Sequence, residues 1–395
     1  NHNEIFFIVW TIIIFILTLS QCRFAYLLSI NISILTGYAF LKICEISEVY
    51  PSPPSQRKAK MKKGDEKIQK KKVLPPKKVK YEQEEKLSKA GTIVWLIILI
   101  TFFFVPNAFS SAGLSKEEPL ISVLDWYKPL EWMRNNTPET SYYDTPLQTP
   151  EYGVMSWWDY GNWILYVGHR PVVANNFQTG VSEAANFFSA EDEEKANKIL
   201  NQTKVKYVIL DSRMLQTFPA IAELAGEQKS SYYEKEFKER FFHTLYARLY
   251  LFDGSSYESA EGVNISALSH YRLIYESNTS ALNFTDINSI KELKAVKIFE
   301  YVPGVRITGK TKPFANITLS VEIRTNRNRT FSYINHFKSD HEGIFEIGVP
   351  YALEGTSYDT KPIGPYKILC EEIAKTVEVS EKEVLNGTSI VVNLL

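Results

Sequence analysis

The sequence predicts an α+β chain: transmembrane helices that end a polytopic bundle, then a mixed α/β exterior core domain, then a small β-sandwich-like domain. Three observations predict it. Three long apolar runs lie within the first 112 residues, and the second and third flank a lysine-rich stretch. Between residues 114 and 302, helical and strand patterns alternate. From Pro303 onward, short alternating strands separated by turns dominate.

Residues 5–19, IFFIVWTIIIFILTL, are continuously apolar, residues 24–44 are apolar apart from Asn31 and Ser33, and residues 92–112 are rich in Ile and Phe. A membrane span takes about 20 residues. The first run is short for that, and the chain begins at Asn1 without Met, so an N-terminal part is expected to be missing. The loop 45–90 carries the basic charge. Residues 51–90 hold 14 Lys/Arg and 5 Asp/Glu, a net of +9, and residues 1–50 come to −1; neutrality of the whole chain leaves −8 for the remaining 305 residues. Positive loops stay cytoplasmic, and the Pro and Lys content of this one argues for a solvated linker over a packed core. Everything after residue 113 then lies outside a cell membrane that the chain crosses several times. One basic loop beside an acidic exterior fits a membrane partner and no nucleic acid. The expected domains are 1–113, 114–302 and 303–395.

In the exterior core, 121–134 reads as an amphipathic helix, followed by a proline-punctuated loop. Residues 182–200 read as one helix with acidic residues 191–194 on its solvated side. VKYVILD, 205–211, is an apolar run of strand length. A helix over 212–225 contains Pro219, a helix over 231–252 ends before Gly254, and 270–277 and 295–302 alternate as strands. The last domain shows ITLSVEIRT, FSYINHF, GIFEIGVPY, GPYKIL, KTVEVS and SIVVNL, the spacing of a small sandwich. Cys22, Cys44 and Cys370 form no CxxC, and the six His form no HxH or HExxH. No disulfide scaffold and no zinc site within the chain are expected.

The stretch Ser156–Gly180, SWWDYGNWILYVGHRPVVANNFQTG, fits neither period. Trp157-Trp158-Asp159-Tyr160-Gly161 places three large aromatics and a carboxylate on consecutive residues closed by a glycine. A turn is expected, with Gly161 free to take a positive φ, and such a turn aims indole N–H donors and one carboxylate at a small polar ligand. Asn175-Asn176 and Gln178-Thr179-Gly180 add a second polar loop. The residues also allow a plainer arrangement, in which the aromatics are core and Asp159 caps a helix starting at Tyr160.

WWDYG followed by ANNFQTG resembles the catalytic subunit of oligosaccharyltransferase, in its archaeal form, the membrane enzyme of asparagine-linked glycosylation. The resemblance runs from about Arg23 to the end of the chain. It implies that Trp157, Trp158 and Asp159 hold the Ser or Thr hydroxyl two residues beyond the acceptor Asn. It implies that Arg23, in a segment QCRFAYLLSIN like the family's, contacts the phosphate of a lipid-linked oligosaccharide. A second family motif places an Asp, then a Lys three residues on, then an Ile or Met beside the hydroxyl pocket. Here Asp211 keeps the pattern, while Met214 and Phe218 depart from it; Asp211 as a helix-start residue before core Met and Phe explains the same letters. Val181-Ser182-Glu183 looks like an external-loop triplet of the family, but it follows WWDYG instead of preceding it, and Glu183 reads as a first-turn helix carboxylate. The implied reaction takes the glycan from a dolichyl phosphate or pyrophosphate carrier to the Asn of Asn-x-Ser/Thr in an acceptor protein or peptide. It uses Mn²⁺ or Mg²⁺ held by upstream acidic residues, so no catalytic or metal-binding residue is expected in this chain. A membrane-anchored carbohydrate- or protein-binding surface protein, using the Trp pair as a stacking platform without catalysis, is the alternative.

Overall fold

The computed structural model describes residues 2–20, 24–46, 93–94, 97, 101, 105–106, 108–109, 123–226, 235–258, 264–281 and 293–395. The chain divides into two compact units, Asn1–Glu118 and Pro119–Leu395.

In the first unit, helices α1 (His2–Ser20) and α2 (Ala25–Ile46) pack on each other. Their few hydroxyls turn back onto their own backbone: Thr11 donates to the Phe7 carbonyl, Thr18 to Ile14, Ser33 to Ser29 and Thr36 to Ile32. That internal pairing lets a polar side chain sit in an apolar helix. Helix α2 is long and apolar enough to cross a membrane, and the apolar helix Glu4–Ser20 is shorter. Within the third expected span, the described positions are helical and exposed. Arg23 and residues 47–90 lie outside the described residues.

The second unit begins with α3 (Val123–Asn136), strand β1 (Gly153–Met155), one 3₁₀ turn (Trp158–Tyr160) and α4 (Gly161–Gly168). Next come α5 (Val181–Ser189), α6 (Glu193–Gln202), β2 (Val205–Asp211) and α7 (Arg213–Leu224). They are followed by α8 (Lys235–His243), α9 (Leu245–Tyr250), a short hairpin of β3 (Tyr257–Glu258) and β4 (Asn264–Ile265), then β5 (Tyr271–Glu276) and β6 (Val296–Tyr301). The main sheet runs β1-β2-β6-β5. Strands β1 and β2 are parallel, and the other pairs are antiparallel. Strand β5 is buried along its whole length and β2 and β6 at all but one position each; β2 accordingly reads as an apolar run, whereas β5 and β6, which read as alternating, bury the charged residues Arg272, Glu276, Lys297 and Glu300.

Two expected helices are broken. The single helix over 182–200 is two, because Asp192 accepts a hydrogen bond from Glu194 N at 2.8 Å and caps α6. The acidic run thus contains a helix start as well as a solvated face. The helix over 231–252 also breaks, at Thr244, whose Oγ1 accepts from Ala247 N at 3.3 Å and caps α9.

The remaining strands are β7 (Val305–Lys310), β8 (Asn316–Arg324), β9 (Thr330–Lys338), β10 (Ile344–Val349), β11 (Lys361–Pro362), β12 (Tyr366–Cys370) and β13 (Ile373–Val377). Helix α10 (Glu381–Asn386) and β14 (Ser389–Asn393) close the chain. They form one sheet β10-β7-β14 and a second, β11-β8-β12-β13, with β9 also on β8. Ile317, Leu319, Val321 and Ile323 alternate inward from β8 onto one core shared with Val305, Ile307 and Phe345. Buried ion pairs join this region to the main sheet. Arg272 on β5 bonds Glu300 at 2.7 Å and Glu381 at 2.6 Å. Arg329 bonds Glu276 at 2.6 Å and Asp253 at 2.9 Å, and Lys297 bonds Asp253 at 2.6 Å.

Candidate functional site

The parallel pair β1 and β2 decides where the site forms. Both strands end at the same edge of the sheet, so Trp157–Gly161 after β1 and Asp211–Met214 at the end of β2 come together. Crevices at the carboxyl ends of parallel strands are where such sheets bind ligands.

The WWDYG segment is a 3₁₀ turn running directly into α4, and two features correct the sequence expectation. Gly161 has helical angles, φ −54° and ψ −44°, not a positive φ. Glycine is needed there for space: a Cβ would lie 2.4 Å from the Ala174 carbonyl oxygen and 2.6 Å from Asn175 Cα. Asp159 does not cap α4 either; the cap position is Tyr160, without a side-chain bond. The ANNFQTG loop supplies the missing anchor. Asn176 Oδ1 accepts from Asn162 N at 3.1 Å, and Asn176 Nδ2 donates to the Asp159 carbonyl at 3.0 Å. One side chain thereby ties the end of the turn to the start of the helix. Gly180, at φ +70°, lets the same loop press against Val173, where a Cβ would meet backbone oxygen at 2.0 Å.

From the other side the turn is held through Tyr160. Its ring stacks on Trp126 of α3 with centroids 4.0 Å apart, and its hydroxyl lies close to the Asp211 carboxylate. That carboxylate also accepts Trp126 Nε1–H at 2.9 Å and Met214 N at 3.2 Å. Burial pushes the Asp211 carboxyl up to about 6, against the lowering effect of the Tyr160, Trp126 and Met214 hydrogen bonds. Burial, reinforced by the Asp211 charge, likewise pushes the Tyr160 hydroxyl far up, so it stays a proton donor.

The sequence-predicted residues therefore divide. Trp157 is buried, Trp158 half-buried and Asp159 exposed at the end of the turn. Their indole N–H groups and carboxylate have no hydrogen-bond partner among the described residues, and the two indoles meet edge to face at 6.3 Å. Desolvation raises the Asp159 carboxyl, and Arg213 across from it opposes the rise. Asp211 and Met214, expected beside the ligand, are wholly buried; Asp211 lies against Tyr160 of the turn and accepts from Met214 N. Arg23 lies outside the described residues. Sequence reasoning missed Trp126, which lies within the amphipathic helix expected over 121–134. It also missed the reason for Gly161, since close approach of a distant loop leaves no local mark.

A hydroxyl has one proton to donate and two lone pairs to accept with. One free carboxylate and two free indole N–H groups are its complement.

Residues 123–215 match the family described as the AglB core domain, and residues 304–390 match the archaeal glycosylation protein B long peripheral domain. Dolichyl-phosphooligosaccharide-protein glycotransferase 1 of Archaeoglobus fulgidus is 34% identical over 298 residues, which covers 73% of this chain and 42% of that protein. The chain thus spans about two fifths of the length of the curated relatives it matches. Solved structures of A. fulgidus oligosaccharyltransferase are similar over 99% of this chain at 25% identity. One is tethered to an acceptor peptide containing the NVT sequon (TM-score 0.72, 55% of that chain covered), and one is in complex with an inhibitory peptide and a dolichol-phosphate (0.71, 53%). Another is in complex with Zn and sulfate (0.70, 56%).

Proposed function

Because the chain belongs to the archaeal-type oligosaccharyltransferase catalytic subunits, we propose that it forms the C-terminal part of such an enzyme and recognises the hydroxyl of Asn-x-Ser/Thr. The observation that carries this reading is the unpartnered Trp157–Trp158–Asp159 group on a turn fixed from both sides. The acceptor hydroxyl donates to Asp159 and accepts from the two indoles. Asp211, Tyr160, Met214 and Asn176 are positioning residues. An acceptor with Ala two residues after Asn leaves three polar groups of the site unpaired, and sites built to bond a hydroxyl reject such analogues strongly.

The whole enzyme moves a glycan from a dolichyl phosphate or pyrophosphate carrier to the Asn side-chain nitrogen, with Arg23 on the donor phosphate. It lies in the cell membrane, multi-pass, with residues 114–395 on the exterior face. The resemblance implies a divalent ion, Mn²⁺ or Mg²⁺, whose chemistry is charge neutralisation at the leaving phosphate. Among the described residues, no group of three or more His, Cys, Asp or Glu is placed to hold it.

The test is glycan transfer by the full-length polypeptide to an Asn-Ala-Thr peptide. Asp159→Ala lowers the rate roughly 100-fold or more. Transfer at the wild-type rate by Asp159→Ala would sink the proposal.

A further inference from the structure

At the far end of α4 from the WWDYG turn, one face of α3 from Tyr127 to Asn135 and the last turn of α4 meet Tyr143 around a cavity of about 370 Å³. Arg170 makes this corner rigid. Its guanidinium, 2% exposed, donates to the carbonyls of Gly168, His169, Arg134 and Thr137 and to Thr137 Oγ1. It thereby gathers carbonyls that the two helix ends leave without intrahelical partners. His169 then turns the chain with φ 51° and lays its ring on Tyr143, centroids 3.6 Å apart and planes 17° from parallel. Desolvation and the neighbouring Arg134 hold His169 below its usual value.

The polar ends lining this cavity are unused. Tyr127, Glu131, Arg134 and Tyr166 have no side-chain hydrogen-bond or ion-pair partner among the described residues, and Tyr166 is 76% and Tyr127 47% exposed. Aromatic faces, a carboxylate acceptor and a guanidinium donor thus converge on one concave place. The combination selects a ligand class. An apolar ligand strands Glu131 and Arg134. A simple anion meets Glu131, and a simple cation meets Arg134. A pyranose ring presents C–H faces to the tyrosines and hydroxyls that both donate and accept.

We propose that this corner is a saccharide-binding subsite taking one or two neutral hexose rings. It shares α4 with the WWDYG turn, and the eight residues of that helix span about 12 Å. A glycan held there lies within a few sugar rings of the acceptor site. That the saccharide is the transferred glycan rests on the function proposed above; the chemistry of the subsite does not.

The experiment uses the full chain in detergent and saturation-transfer NMR. The probes are neutral disaccharides built from glucose, galactose, mannose and N-acetylglucosamine. At least one shows saturation of its ring protons, and Tyr166→Ala and Glu131→Gln each weaken its binding about tenfold or more. Both positions are on the surface, so the variants keep the wild-type unfolding midpoint and the Thr-dependent binding of an Asn-Ala-Thr peptide. No saturation from any probe, or equal saturation in both variants, overturns the subsite. If peptide recognition persists while the saccharide signal is absent, the subsite falls and the proposed function stands. If the saccharide binds at this corner while the peptide is ignored, the subsite stands and the sequon reading falls.

Discussion

Gly161→Ala sets two effects of opposite sign against each other. Gly161 opens α4 with φ −54° and ψ −44°, angles that alanine adopts more readily, so on backbone grounds the substitution is stabilising by up to about 1 kcal/mol. The added Cβ, however, falls 2.4 Å from the Ala174 carbonyl oxygen and 2.6 Å from Asn175 Cα. Both are backbone atoms, so no rotamer change relieves the contact. Overpacking of this kind costs about 1–3 kcal/mol. Relief requires residues 174–176 to move, which disturbs the two Asn176 hydrogen bonds, worth about 1 kcal/mol each. The clash wins, with a net destabilisation of about 1–3 kcal/mol, and each kcal/mol lowers Tm by about 2–4 °C in a domain of this size. The assay is thermal unfolding with Gly364→Ala as control, a position where a Cβ meets nothing within 4 Å. Binding of an Asn-Ala-Thr peptide is measured alongside and is lost as the turn shifts. An alanine variant as stable as the wild type, with unchanged peptide binding, would refute the argument that loop and turn are locked by close approach.

Asp211 gives a pH signature. Its carboxyl stands at about 6 in the folded protein against 3.8 ordinarily, so between those values the folded state binds a proton the unfolded state does not, and stability rises as pH falls. Relative to Asp211→Asn, the wild type gains up to about 3 kcal/mol between pH 7 and pH 4; a flat difference in denaturant titrations contradicts the assignment. Asp253→Ala leaves Lys297, which is 1% exposed, without its 2.6 Å partner and is expected to cost about 3–5 kcal/mol, read as a shift in urea midpoint. A Thr acceptor outperforms Ser through methyl contact, by up to roughly tenfold in kcat/KM; equal use of the two argues against a snug pocket.

The site was legible in the sequence as a motif but not as a geometry. Two Trp, an Asp, a Tyr and a Gly in a row fit no regular period, and that misfit pointed to the turn that the structure shows. The same five letters do not reveal that Gly161 is helical, because its constraint comes from Ala174 and Asn175. Nor do they show that Tyr160 is an inward anchor, because its partners Trp126 and Asp211 are 34 and 51 residues away. The apolar run VKYVILD identified β2 as a buried strand, since a strand covered on both faces needs no alternation, whereas the alternation read over β5 and β6 did not reveal that both faces of those strands are buried. The breaks at Asp192 and Thr244 were hidden because a capping side chain inside an amphipathic pattern looks like one more polar position. The resemblance to the archaeal enzymes suggested Asp211 and Met214 as ligand contacts. Both are completely buried, and a motif does not distinguish a residue that supports a turn from one that faces a ligand.

The most direct test of sequon recognition is NMR of the full chain with indole N–H groups labelled, titrated with Asn-Ala-Thr and Asn-Ala-Ala peptides in wild type and Asp159→Ala. The account predicts shifts of the Trp157 and Trp158 indole signals that require the threonine and disappear in the variant. Shifts that ignore the threonine, survive the loss of Asp159, or map to residues 303–395 would contradict it.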